Sequence, residues 1–198
     1  MTHLTQAELE AGLAGIRLAP KDAGTLDLIV RRPHVGERDV IAAGTLDLAV
    51  GLVGDTWHMR PSSRTPDHSP HPDMQINVMS SRVIALMAGD RARWPLAGDQ
   101  LYIDLDLSAD NLPPGTGLAI GGAVIEVTAQ PHTGCAKFLS RFGVDATNLV
   151  NSPLGRTLNL RGINARVTVP GWIRAGDLVT KIPREGSYVK TPRATVRG

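Results

Sequence analysis

Residues 5–8, Thr-Gln-Ala-Glu, have the spacing of a capping box, and Leu9, Leu13 and Ile16 follow at helical intervals. That spacing predicts an N-terminal helix ending near Ile16. The pattern then shortens to alternation, with Leu26, Leu28 and Val30 on one face and Asp27 and Arg31 on the other, which predicts a strand. The hexapeptide Ala-Gly-Thr-Leu-Asp-Leu stands at 23–28 and again at 43–48, so an internal repeat is one expectation, although the flanking sequence does not extend it. Residues 55–73 are polar, rich in proline and histidine and without apolar periodicity, and read as one long loop. A strand is expected at 75–79. Ser80 or Ser81 then caps a helix through Val83, Ile84, Leu86 and Met87 that Gly89 ends. Strand patterns resume at 101–107, 117–120 and 123–128, separated by Asn-Leu-Pro-Pro-Gly and Gly-Gly. Residues 135–142 have helical character with Gly143 as a stop, a short helix covers 147–151, and 163–169 is the last convincing strand. Short strands between Gly/Pro turns predict a mainly β fold, a barrel or compact sandwich with a few short helices.

Composition agrees with that pattern. The chain has 198 residues, of which 42% are hydrophobic and only 4% aromatic, so its core is aliphatic and of a size one domain can bury. The expected organisation is an N-terminal helix and lead-in over 1–20, a barrel over 21–182 and a basic tail over 183–198. A net charge of +2 without a concentrated Lys/Arg stripe argues against nucleic acid as partner. No apolar run reaches the roughly 20 residues of a membrane span, and the first residues lack a basic region followed by an apolar one. No membrane association and a cytoplasmic location are expected. A single cysteine excludes an intramolecular disulfide and is compatible with a reducing compartment.

That cysteine, Cys135, lies in Gln-Pro-His-Thr-Gly-Cys-Ala-Lys-Phe at 130–138, where a strand leads through a loop into a helix. Free N–H groups at a helix start favour a thiolate, and His132 and Lys137 stand close by in sequence. A glycine before the cysteine is expected to open access to it. Charge is uneven around it: residues 97–130 carry acids and no Lys or Arg, while 131–181 are rich in cations. If these cations converge on one mouth, they favour an anionic small molecule. In the long loop, His58 lies near the candidate pocket. His68 and His71 with Asp67 and Asp73 are read as a solvent-facing surface rather than a zinc site, because prolines interrupt their spacing.

Residues 130–138, followed by Leu-Arg-Gly-Ile-Asn-Ala-Arg-Val at 160–167 and Gly-Trp-Ile-Arg-Ala-Gly-Asp at 171–177, resemble the signature of MOSC domains, named for the C-terminal domain of molybdenum cofactor sulfurase. Residues 97–103 and 118–128 resemble its strand pairs, and Val-Gly-Leu-Val-Gly-Asp at 50–55 its N-terminal motif. The chain departs at 67–73, where many stand-alone relatives carry a His-Gly-Gly motif. The resemblance implies a MOSC-type β-barrel and a role in molybdenum-cofactor or sulfur-transfer chemistry. In that role Cys135 carries sulfur as a persulfide or ligates molybdenum. It further implies molybdopterin as cofactor, and as partner a molybdenum-cofactor protein or a pyridoxal-phosphate-dependent cysteine desulfurase, with no pyridoxal phosphate on this chain. In some relatives the bound cofactor reduces N-hydroxylated compounds. Lys137, Arg141, Arg161 and Arg166 are candidate contacts for the pterin phosphate, and His132 joins Cys135 as a candidate catalytic residue.

Two other functions are open to these residues. One is a molybdenum-independent thiol enzyme or redox sensor that pairs Cys135 with His132 as base, although no second thiol and no third orienting residue is evident in the sequence. The other is a binding module for an anionic ligand, in which replacing Cys135 by Ser leaves affinity unchanged.

Overall fold

A computed structural model describes residues 3–182, so the basic tail expected over 183–198 lies outside the described residues. Helix α1 (Gln6–Arg17) opens with the expected capping box, in which Thr5 Oγ1 accepts from the Glu8 backbone N–H and the Glu8 carboxylate accepts from the Thr5 N–H at 2.8 Å. Strands β1 (Ala23–Arg31), β2 (Asp39–Ile41), β3 (Ala43–Asp47) and β4 (Gly51–Leu52) precede the long loop. After it come β5 (Ile76–Ser80), α2 (Ser81–Ala88), β6 (Leu101–Asp104), β7 (Gly117–Ile120) and β8 (Ala123–Val127). The chain continues through α3 (Ala136–Asn151), α4 (Pro153–Thr157), β9 (Ile163–Val169), β10 (Gly171–Arg174) and β11 (Leu178–Ile182).

Seven strands close into a barrel in the order β1-β6-β5-β9-β8-β7-β11 and back to β1. All neighbours are antiparallel except β5 and β6. β2 extends the sheet from the end of β1, and β10, β3 and β4 form a second small sheet. β10 and β11 were not expected as strands, because each turns few large apolar side chains inward: Ile173 and Val179 are buried while Trp172 and Leu178 are exposed. β11 nevertheless supplies the closing pairs to β1 and β7. The two copies of Ala-Gly-Thr-Leu-Asp-Leu fall in β1 and around β3, in different sheets with different partners, so they form no structural repeat.

The alternation expected in β1 is broken by a bulge against β6 between Leu26 and Leu28. Leu26 and Ile29 therefore point into the barrel, whereas Leu28 and Val30 face outward beneath the helices. Inside the barrel Ile76, Val78, Leu101, Ile103, Ile125 and Ala165 pack together. Outside it, Leu9, Leu13, Met79, Ile84, Tyr102, Phe138 and Phe142 form a second apolar layer that seats α1, α2 and α3 on the wall. Gly143 takes φ +88°, a conformation side chains resist, and breaks α3 as expected. The helix directly behind Cys135 is thus only about two turns long.

Candidate functional site

On the outer face of the wall, polar residues replace the apolar layer. Asn77 and Asn164 sit opposite each other on β5 and β9, and Asn77 Nδ2 donates to Asn164 Oδ1 at 2.6 Å. Arg32, one residue past β1 on the same outward face as Leu28 and Val30, donates to Asn77 Oδ1 at 3.0 Å and to the Gly98 carbonyl at 2.8 Å. Its other donors grip Asp55 through Nε at 2.7 Å and Nη2 at 2.8 Å. Both side chains are buried, and Asp55 also accepts from the backbone N–H groups of Arg32 and Trp57. A buried charge persists only when paired and saturated in this way.

Asp99, fully buried, forms the second ion pair. Arg161 Nη1 reaches its two oxygens at 3.0 and 2.7 Å, and Arg161 Nη2 donates to the Ala97 carbonyl. His132 Nε2 meets Asp99 Oδ1 at 2.7 Å. Burial alone would raise the Asp99 carboxyl, but the Arg161 guanidinium and His132 outweigh it and bring the pKa down to about 2. Burial and the positive charge of Arg161 lower the His132 pKa, so the ring is neutral near pH 7. An ionised carboxylate only accepts, so the proton sits on Nε2 and Nδ1 is left as an acceptor. Arg161 stacks over the Phe138 ring, 4.9 Å from its centre, and its Nε is buried without a hydrogen-bond partner among the described residues.

Cys135 is the N-cap residue of α3; it is exposed, and its side chain makes no capping bond. Gly134 serves packing as well as access. Asn151 clamps it from both sides, accepting from its N–H at 3.0 Å and donating to its carbonyl at 3.1 Å. A Cβ there would lie 3.0 Å from Val150 and 3.2 Å from Asn151. The loop is also tied down at Gln130, whose carbonyl accepts from Asn164 Nδ2 and whose side chain accepts from Arg64.

The cations that meet here come mainly from the first half of the chain. Arg38 donates only to the Pro95 and Glu37 carbonyls, and Arg60 to Thr56 Oγ1, so among the described residues neither is neutralised by a carboxylate. Burial lowers both pKa values, and like charges lower them further: Arg141 and Arg32 act on Arg38, and Arg32 and Arg38 on Arg60. Of the four cations expected from sequence, Arg141 is half-buried and bonds the Leu96 carbonyl, while Lys137 is exposed on the first turn of α3. Arg161 is held by Asp99. Arg166 lies two positions beyond Asn164 on β9 and is taken up by Glu126 and Asp73.

Two cavities flank the polar row. One, of about 290 Å³, is bordered by Gln130, His132, Thr133, Ile163 and Asn164. The other, of about 170 Å³, is bordered by Arg32, Trp57, Arg60, His71 and Asn77. His71 Nδ1 accepts from the Asp73 N–H, while His58 and His68 are exposed. Among the described residues no three His, Cys, Asp or Glu side chains gather as a metal would require. Arg32, Asn77 and Asn164 were missed in the sequence, although Asn inside the apolar runs Ile76-Asn77-Val78 and Ile163-Asn164-Ala165 is a usable signal for a polar floor.

No family model and no curated protein matches the chain in sequence. Solved structures match in fold. The YuaD protein from Bacillus subtilis superposes with a TM-score of 0.56 at 18% identity, over 80% of this chain and 95% of that one. YiiM from Escherichia coli superposes with a TM-score of 0.51 at 20% identity, over 81% and 70%. Both are MOSC-domain proteins, and the closed seven-strand barrel described above is of the MOSC type.

Proposed function

We propose that this MOSC-type barrel binds the molybdenum cofactor, or carries sulfur destined for it, in the groove roofed by the Cys135 loop. One observation carries the proposal: an exposed thiol lies on a loop anchored through Gln130 to Asn164, and Asn164 is bonded to Asn77, which borders one cavity with Arg60, an arginine that no described carboxylate neutralises. The donor set fits such a group. Arg38 and Arg60, with Arg141 and Lys137 at the rim, suit a phosphate. Cys135 offers the soft sulfur that molybdenum accepts, and the buried Nε of Arg161 is a donor in need of an acceptor. When bound, the cofactor supplies redox chemistry at a soft metal centre.

The remaining roles belong to the chain. Arg32, Asn77 and Asn164 hold the floor rigid, and Asp99 fixes His132 with Nδ1 free to take a proton. In the sulfur-carrying form, the Cys135 thiolate attacks the outer sulfur of a desulfurase persulfide. The S–S bond of the donor breaks, its thiolate leaves, and Cys135 becomes the persulfide. The molybdenum-independent thiol reading gains one support, because Asp99 is the orienting partner of His132 that the sequence did not reveal.

Molybdenum and pterin analysis after expression in a cofactor-competent host tests the proposal, with mass analysis of the Cys135 peptide after exposure to a cysteine desulfurase. Near-equimolar molybdenum and pterin, with metal lost in Cys135→Ser, supports cofactor binding. A persulfide on Cys135 without cofactor supports sulfur carriage. Absence of all three, with a reactive thiol retained, favours the thiol enzyme and overturns the proposal.

A further inference from the structure

A second polar pocket lies at the other end of β5. The strand runs from Asn77 at the groove floor to Ser80, and α2 starts at Ser81. Ser80 has the extended backbone of an N-cap, φ −68° and ψ 129°, yet its hydroxyl makes no capping bond. An N-cap serine ordinarily accepts an N–H from the second or third residue of its helix. Here the Ser80 and Ser81 hydroxyls are both buried without a partner among the described residues, in residues only 4% and 5% exposed. Buried polar groups are paired as a rule, and orphans at a helix start mark a place where an acceptor belongs.

A cavity of about 130 Å³ adjoins Ser80. Ser80 and Val83, the N-cap and the third residue of α2, both line it, together with Arg17, Lys21, Asp106 and Ser108. Among the described residues Asp106 is the one carboxylate in the lining, and its Oδ1 is engaged by the Ser108 N–H. Arg82, on the first turn of α2, is taken up by Asp104. Arg17 and Lys21 therefore face the cavity as two cations against one acid. The cavity shares no residue with either cavity of the groove.

The geometry points to a binding site for a small oxyanion of the phosphate class at the start of α2. The uncapped start of α2, the unpartnered Ser80 hydroxyl and two cations all call for acceptors, and a phosphate or sulfate presents several at once. A single water could satisfy one hydroxyl, but the cavity has room for more than one water, each of which occupies about 30 Å³ in the liquid.

Calorimetric titration of the full chain with inorganic phosphate at constant ionic strength tests this site. Arg38→Gln/Arg60→Gln serves as the background, so that binding in the groove is not counted. Saturable binding should persist in that background. Ser80→Ala and Lys21→Gln should each weaken it by about tenfold or more, and Asp106→Asn should tighten it. Ser80→Asp, which places a carboxylate at the same point, should raise the melting temperature without phosphate and abolish the response to it. No saturable binding in that background, or binding indifferent to Ser80, Lys21 and Asp106, would show that the cavity holds water only, and would leave the groove proposal untouched.

Discussion

Ile163 and Asn164 are neighbours on β9, 4% and 0% exposed, and face opposite sides of the barrel wall. Ile163 joins an interior of aliphatic side chains without a charge among them, whose burial contributes about 1.5–3 kcal/mol for each large residue. Asn164 joins a wall of equally hidden polar groups in which Arg32, Asp55, Asp99 and Arg161 stay charged by pairing. A barrel needs the first kind of burial to fold. The second kind is costly to build and tolerates no missing partner, so its concentration under the Cys135 loop marks where the fold serves something besides its own stability.

Breaking a pair on the polar side should have the largest effect. Asp55→Ala leaves Arg32 buried without its counter-charge and should cost about 3–5 kcal/mol in urea unfolding. A loss under 1 kcal/mol would show that the pair is solvated.

Next comes pH. Burial lowers the folded-state pKa of His132 below its unfolded value of about 6.5, so the folded protein binds fewer protons than the unfolded chain in acid. The stability from neutral His132 is present above that value and lost as pH falls towards the folded pKa, at no more than about 1.4 kcal/mol per pH unit. Asp99 acts lower down, its contribution present above about 3.9 and lost as pH falls through about 2. His132→Asn should flatten the upper part of the profile and, by removing one of the groups that hold Asp99 down, shift the lower part towards higher pH. A profile unchanged by that substitution would place the ring in solvent.

On the aliphatic side, Ile125→Val should cost about 0.5–1.5 kcal/mol, with no effect on the reactivity of Cys135. The smallest effect belongs to the solvent-facing pair of Arg166 and Glu126, where Glu126→Gln should change stability by less than about 1 kcal/mol.

The aliphatic side was the more legible in the sequence. Capping residues and helical spacing gave α1, the stop at Gly143 broke α3, and alternation gave β8 and β9. The β1 bulge and the closing strand β11 were hidden, because one depends on an across-barrel register and the other turns a single large aliphatic inward. On the polar side Cys135 and His132 stood out as residue types, but their supports did not. Asp55 reaches Arg32 across 23 positions and Arg161 reaches Asp99 across 62. Asn77 and Asn164 are 87 apart. Such pairs exist only once the strands are laid side by side. The same folding paired Arg166 with Glu126 and Asp73 and brought Arg60 to the cavity beside Asn77.

The rate of Cys135 alkylation in the native protein, before and after loading with molybdenum cofactor, tests most directly whether the thiol and the arginine-lined groove are one site. In the cofactor-free protein the exposed thiol should react without denaturation. Loading should suppress that reaction strongly, and Arg38→Gln/Arg60→Gln should restore it by releasing the cofactor. Equal rates in loaded and cofactor-free protein would separate Cys135 from the groove and contradict the proposed cofactor site.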